Sequence, residues 1–96
     1  AKRVLIENRR AAGVVFDQGG AEKLVRARGE VILSAGAVGS PHLLELSGIG
    51  NPEHLAALGL EVAHAAPGVG ENLQDHLQIR TVFKITGALT LNDRLA

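Results

Sequence analysis

The spacing of apolar positions changes several times along the chain. Val4-Leu5-Ile6-Glu7 and Ala12-Gly13-Val14-Val15-Phe16 are short, largely apolar runs, divided by Asn8-Arg9-Arg10 and followed by Gln18-Gly19-Gly20-Ala21. This punctuation predicts strand, turn, strand, turn, with glycine entering positive φ at no steric expense in the second turn. Glu22 to Arg28 alternates charged and apolar residues and reads as a half-exposed third strand, completing an antiparallel meander. Val31-Ile32-Leu33 breaks the alternation. A continuous apolar run of this kind predicts a strand covered on both faces of a parallel sheet.

Small residues follow, Ser34 to Gly39, and then Ser40-Pro41. Serine as N-cap and proline at the first helical position predict a helix start there. Leu43, Leu44 and Leu46 supply its apolar face, and Gly48 ends it after about two turns, as glycine does just past a helix. Asn51-Pro52-Glu53 repeats the start signal, with Leu55 and Leu58 on one side and Gly59 as the stop. Leu60 to Ala66 reads as a short extended connection and Pro67-Gly68-Val69-Gly70 as a loop. From Leu77 the alternation returns: Leu77, Ile79, Thr81, Phe83 and Ile85 fall on one side, Gln78, Arg80, Val82, Lys84 and Thr86 on the other. That is the pattern of a half-buried strand in an antiparallel sheet, and it sets a boundary near residue 76.

Composition narrows the class. The 96 residues are 46% hydrophobic and 21% charged, ordinary for a folded globular segment and unlike a disordered one. Basic and acidic residues balance at ten each, so no net field draws the chain to nucleic acid or to an anionic membrane. No apolar stretch approaches the roughly 20 residues of a membrane span. Phe16 and Phe83 are the only aromatic residues, against twelve glycines. A small independent core leans on large side chains to bury enough area; this one leans on Ala, Val and Leu, which suits an interior shared with other segments. Without cysteine, neither a disulfide nor a thiolate metal site can supplement it.

Residues 31–50 hold the most chemical information. A buried strand ending in small residues lets another backbone or a planar cofactor come close, and the helix that follows presents unpaired N–H groups and a positive dipole end. Gly36 and Gly39 are equally consistent with tight strand–helix packing alone. His42 and His54, in the first turns of the two helices, read as surface residues, since the helix dipole disfavours a charged imidazole there. His64 reads as incidental. His76 follows Asp75 in a loop and either fixes that loop by a local hydrogen bond or reaches substrate. No His pair has ligand spacing, which argues against a metal site. Asp75, Glu71 and Asn72 read as turn and capping residues. Ser40 lacks the Gly-x-Ser-x-Gly elbow of a nucleophile.

Two stretches carry a family resemblance. Gly36-Ala37-Val38-Gly39-Ser40-Pro41-His42-Leu43-Leu44-Glu45-Leu46-Ser47-Gly48-Ile49-Gly50 resembles the second signature of the glucose–methanol–choline oxidoreductases. Pro67-Gly68-Val69-Gly70-Glu71-Asn72-Leu73-Gln74-Asp75-His76 is similar to the same family's PGVGxNLQDH segment. Their order and separation also match, and Arg3-Val4-Leu5 with Ala12-Gly13-Val14 look like the family's meander. The resemblance implies an α/β fold (α+β overall): the end of an FAD-binding, Rossmann-like domain with a β-meander in residues 1–76, leading into an antiparallel-sheet substrate domain in residues 77–96. It implies oxidation of a small-molecule alcohol by hydride transfer to FAD, with Ala35, Gly36 and Ala37 near the cofactor and Ala1 to Arg3 where the family's backbone passes the adenine. The dinucleotide fingerprint Gly-x-Gly-x-x-Gly does not occur here, and the family's catalytic His falls late in its chain. The segment therefore reads as an internal piece that requires the remainder of its own chain and holds no catalytic residue. Two rivals are a flavin-containing lyase of the same fold that cleaves cyanohydrins, since fold does not fix reaction, and a small non-enzymatic binding or scaffold protein.

Overall fold

A computed structural model describes residues 1–95. Three strands, β1 (Arg3–Glu7), β2 (Arg10–Gln18) and β3 (Ala21–Arg26), form an antiparallel sheet in the order β1-β2-β3. Both connections are two-residue turns with positive φ at each central position, Asn8 and Arg9 in the first, Gly19 and Gly20 in the second. That backbone matches the right-handed twist of the flanking strands. The Asp17 carboxylate secures the second turn by accepting from the Gly20 N–H at 3.1 Å. Leu5 pairs with Gly13 but Ile6 with Ala11, so Ala12 is the extra residue of a β-bulge. Gly13 is buried, and a side chain there would strike the Val25 carbonyl of the neighbouring strand.

The helical part follows as α1 (Gly36–Leu46), β4 (Ile49–Gly50), α2 (Pro52–Ala57) and β5 (His64–Ala65). α1 ends as the glycine signal requires. Ser47 and Gly48 donate to the Leu44 and Glu45 carbonyls at 2.9 Å each, with Gly48 at φ +79°. Its Cα faces the returning chain so closely that a Cβ would collide with the Glu61 carbonyl. α2 begins at the Asn51 N-cap, whose side chain accepts from Glu53 and His54 N–H groups at 3.0 and 3.3 Å, and Pro52 opens the helix. It ends at Gly59, φ +72°. β4 and β5 pair in parallel, Ile49 with His64 and Gly50 with Ala65, joined by a crossover through α2 of the roughly dozen residues such a pairing needs. The extended reading of Leu60 to Ala66 thus becomes a short parallel strand at its centre.

The core lies where β1 meets the C-terminal end of α1 and the α2 crossover. Val4 and Val15 are buried, Leu55 fully so, and Ser47 is the buried polar side chain among them.

Three expectations need correction. α1 starts one turn earlier than Ser40: Ala35 is the N-cap position and Pro41 lies inside the helix. Proline at that depth forfeits the bond to the Ala37 carbonyl, but the Ser40 hydroxyl reaches back to accept from the Ala35 N–H at 3.0 Å, so the small residues before it wind into the helix. Val31, Ile32 and Leu33 join no strand, and Ile32 is exposed; a central parallel strand needs neighbours on both edges, and the described residues offer none there. Residues 77–86 likewise form no ladder, and both sides of the alternating segment face solvent, with Leu77 93% and Val82 94% exposed. A short helix, α3 (Leu91–Leu95), closes the described chain. The resulting radius of gyration is 21.8 Å, against about 13 Å for a compact domain of this length.

Candidate functional site at the start of helix α1

Ala35, Gly36 and Ala37 form the exposed N-terminal end of α1. Gly36 has φ +83°, and a Cβ built on it would meet no atom within 4 Å. The glycine is therefore required by the backbone conformation and not by crowding from within the chain, and the space in front of it is open. Gly39 differs. Its hypothetical Cβ would lie 3.0 Å from the Cβ of Ala35, the N-cap residue of the same helix, so the crowding there comes from the helix start and not from a strand. α1 has no side-chain cap and no acidic residue in its first turn, which leaves N–H groups of that turn free for an external acceptor.

A groove of about 490 Å³ runs beside this helix end, between α1 and the loop of residues 68–73. Ala37, Pro41 and Leu44 form one wall; Val69, Gly70 and Leu73 form the other. Glu45 lies between two glycines: a Cβ on Gly70 would sit 3.1 Å from its Oε1, and one on Gly50 would sit 3.3 Å from its Cγ. The two resembling stretches thus meet in space, through Glu45. Sequence reasoning passed over that residue; its legible signal was a charged residue on a helix otherwise lined with leucines. The loop holds its shape through local bonds: Val69 N–H donates to the Ala66 carbonyl at 3.0 Å, and Gly70 and Asn72 both take positive φ. Asn72 lies just past the turn of residues 67–70, with its positive φ as the one feature it shares with a turn residue. His76 enters the loop's bonding through its backbone N–H, which donates to the Asp75 carboxylate at 2.8 Å.

Ala1 is exposed beside the meander, where Lys2 N–H donates to the Val15 carbonyl at 2.8 Å. It does not line the groove that includes Ala37. Among the described residues, no group of three or more His, Asp or Glu converges as a metal site. His42 lines the groove from an exposed position, and His54 and His64 are exposed.

The perturbed ionisable groups lie elsewhere, on the meander and at α3. The Arg26 guanidinium donates to both oxygens of Glu7, at 2.7 and 2.9 Å, and holds that carboxyl below its ordinary range. Lys2 Nζ donates to Glu22 at 2.8 Å; the hydrogen bond and charge lower Glu22 and raise Lys2. Thr90 donates to Asp93 through backbone N–H and hydroxyl at 2.7 Å each, which lowers Asp93 and makes half of a capping box. Thr90-Leu91-Asn92-Asp93 carries a helix-start signal for α3 that the reading of apolar spacing alone does not pick out. All five groups are structural partners on the surface.

A mixed α/β segment whose two glycine-rich stretches close one groove beside an uncapped helix start is the class defined so far. The GMC oxidoreductase family model matches residues 1–78, and the chain belongs to that family of enzymes. Over 94 residues it is 50% identical to an oxygen-dependent choline dehydrogenase of Photobacterium profundum, covering 98% of this chain and 16% of that protein. A relative of the same description from Chromohalobacter salexigens is 49% identical over 88% of the chain, and one from Rhizobium etli 53% identical over 81%. The chain spans about one sixth of the length of these relatives. None of these names supports the lyase or the scaffold reading.

Proposed function

We propose that this chain is a segment of an FAD-dependent oxidoreductase that oxidises a small alcohol, with the start of α1 presented to the cofactor. The observation that carries the reading is Gly36: a left-handed glycine facing open space at an uncapped helix start. Ala35, Gly36 and Ala37 fit a planar or anionic group because they place backbone there without side-chain bulk, and Ala1 contributes from the edge of the meander. When bound, the flavin supplies the acceptor for the hydride leaving the CH–OH carbon. The residues of this chain bind and orient; the catalytic base and the pyrophosphate-binding fingerprint lie in other parts of the parent chain. Residues 1–76 close the cofactor domain and residues 77–96 open the substrate domain. The family match ending at residue 78 and the change in apolar spacing support that division.

Choline, the alcohol in the relatives' names, is the first substrate to try. The full-length enzyme containing this segment should retain FAD through gel filtration and show bleaching of the flavin absorbance when choline is added without oxygen. Gly36→Leu should abolish flavin retention to a greater degree than it lowers the apoprotein's melting temperature, which the strain of a side chain at φ +83° also reduces. Retained flavin in that variant would make Gly36 a conformational glycine with no part in binding. Cyanohydrin cleavage without net flavin reduction would move the parent to the lyases.

A further inference from the structure

Ser47 does more than end a helix. Its hydroxyl donates to the Leu43 carbonyl at 2.5 Å, the common back-bond of a helical serine. Its oxygen also accepts from the Val4 N–H at 2.7 Å, across 43 positions of sequence. Val4 pairs with Val14 on its other side, so the bond to Ser47 occupies the free edge of β1. Among the described residues it is the one hydrogen bond between the meander and the helical part. Ser47 is buried at 9% exposure, and Val4 at 5%, so water does not compete for either group. Gly48, next in sequence, admits no side chain because the chain at Glu61 and Ala63 lies against it, so the end of α1 that carries Ser47 is also packed on its other side.

The two ends of this arrangement are the segments assigned above to the cofactor. Ala1 to Arg3 lead directly into Val4, and Ala35 to Ala37 begin the helix whose last turn carries Ser47. We propose that Ser47 is a positioning residue that pins the β1 edge to α1, fixing the distance between the backbone offered to the adenine half and the backbone offered to the flavin ring. The inference rests on the FAD reading of the site. Binding one ligand by two separate segments depends on their spacing being set beforehand, because any freedom between them must be lost on binding. A side chain held by helix and strand at once sets that spacing.

The test uses the full-length enzyme stripped of flavin, with FAD reconstitution followed by flavin fluorescence and with ADP as a competitor for the adenine half. Ser47→Ala removes the pin, and Ser47→Thr keeps the oxygen. A buried hydrogen bond of this kind corresponds to roughly a tenfold change in an equilibrium constant. Ser47→Ala should therefore weaken FAD about tenfold and disturb the competition by ADP, whereas FMN, lacking the adenine, should lose much less; Ser47→Thr should restore FAD binding. A serine that was only structural would weaken FAD and FMN in parallel with a fall in melting temperature, and that result overturns the proposal, as does unchanged FAD affinity in Ser47→Ala. If the unsubstituted enzyme binds no FAD, the cofactor reading itself fails.

Discussion

Residues 1–70 and residues 71–95 share one chain and have opposite fates. In the first region every strand of the meander finds its neighbour through a two-residue turn, α1 and α2 end on glycines at positive φ, and the parallel β4–β5 pair closes over a single crossover. In the second, Leu77, Ile79, Phe83 and Ile85 alternate as a strand should, yet stay exposed and unpaired. Amphipathic pattern is present in both. What separates them is whether the partner lies close along the chain. Val31–Leu33 makes the same point inside the first region, since this continuous apolar run has no adjacent strand and forms none. Local pairing needs only a turn, while a distant partner must be supplied by other chain.

The contrast can be broken most severely at Gly48. Adding a side chain there meets both the left-handed backbone and the Glu61 carbonyl, so Gly48→Val should destabilise the full-length protein by about 2–4 kcal/mol. Gly59 has nearly the same φ but nothing within 4 Å, and Gly59→Ala should cost only about 1 kcal/mol. Thermal melting of the two variants side by side checks the difference; equal shifts would mean that the close approach of residues 61–63 is not maintained in solution.

Leu55→Ala ranks next. Leu55, on the α2 crossover itself, is completely buried, and truncation should cost about 2–4 kcal/mol, read from the same melting curves. Phe83→Ser supplies the opposing measurement. At 80% exposure the side chain has no packing to lose within this segment, so the substitution should leave the far-UV circular dichroism of the isolated 96-residue chain unchanged. In the full-length enzyme, where the proposed substrate domain would pair and cover that segment, it should be clearly destabilising. A similar small effect in both settings would remove residues 77–86 from any buried sheet.

The exposed apolar tail should also dominate association. The isolated chain is expected to aggregate and to hold no FAD, and a version ending at residue 76 should associate less in analytical ultracentrifugation because the apolar side chains from Leu77 onward are gone. Equal association by the shorter version would assign the effect to the open edge of β3 instead.

The smallest effect comes from the ion pairs of the meander. Glu7 and Glu22 lie below the ordinary glutamate value of 4.5, so their contribution is present above about that pH and is lost as pH falls through the lowered values. Lys2 is raised from 10.5; its contribution is present below that pH and is lost as pH rises through the raised value. Because these groups are exposed, salt screens them. A shallow, salt-sensitive loss of melting temperature at both pH extremes is expected, and Glu7→Gln should flatten the acidic limb slightly.

The sequence by itself determined whatever is decided within a few residues. Gly19-Gly20 set a hairpin turn, Asn51-Pro52 set the start of α2, and Gly48 and Gly59 set two helix ends, because capping and turn chemistry act through neighbouring backbone groups. The paired stretches at residues 36–50 and 67–76 were likewise legible as a family signature. Tertiary structure alone decided the rest. Ser40 could be read as an N-cap until its hydroxyl was found bonding Ala35 from inside a longer helix, a choice that depends on where the preceding chain goes. The parallel pairing of Ile49 with His64, the seat of Glu45 between Gly50 and Gly70, and the bond from Val4 to Ser47 all join residues far apart in sequence. Spacing along the chain carries no signal for such encounters, because they are fixed by the packing of whole elements.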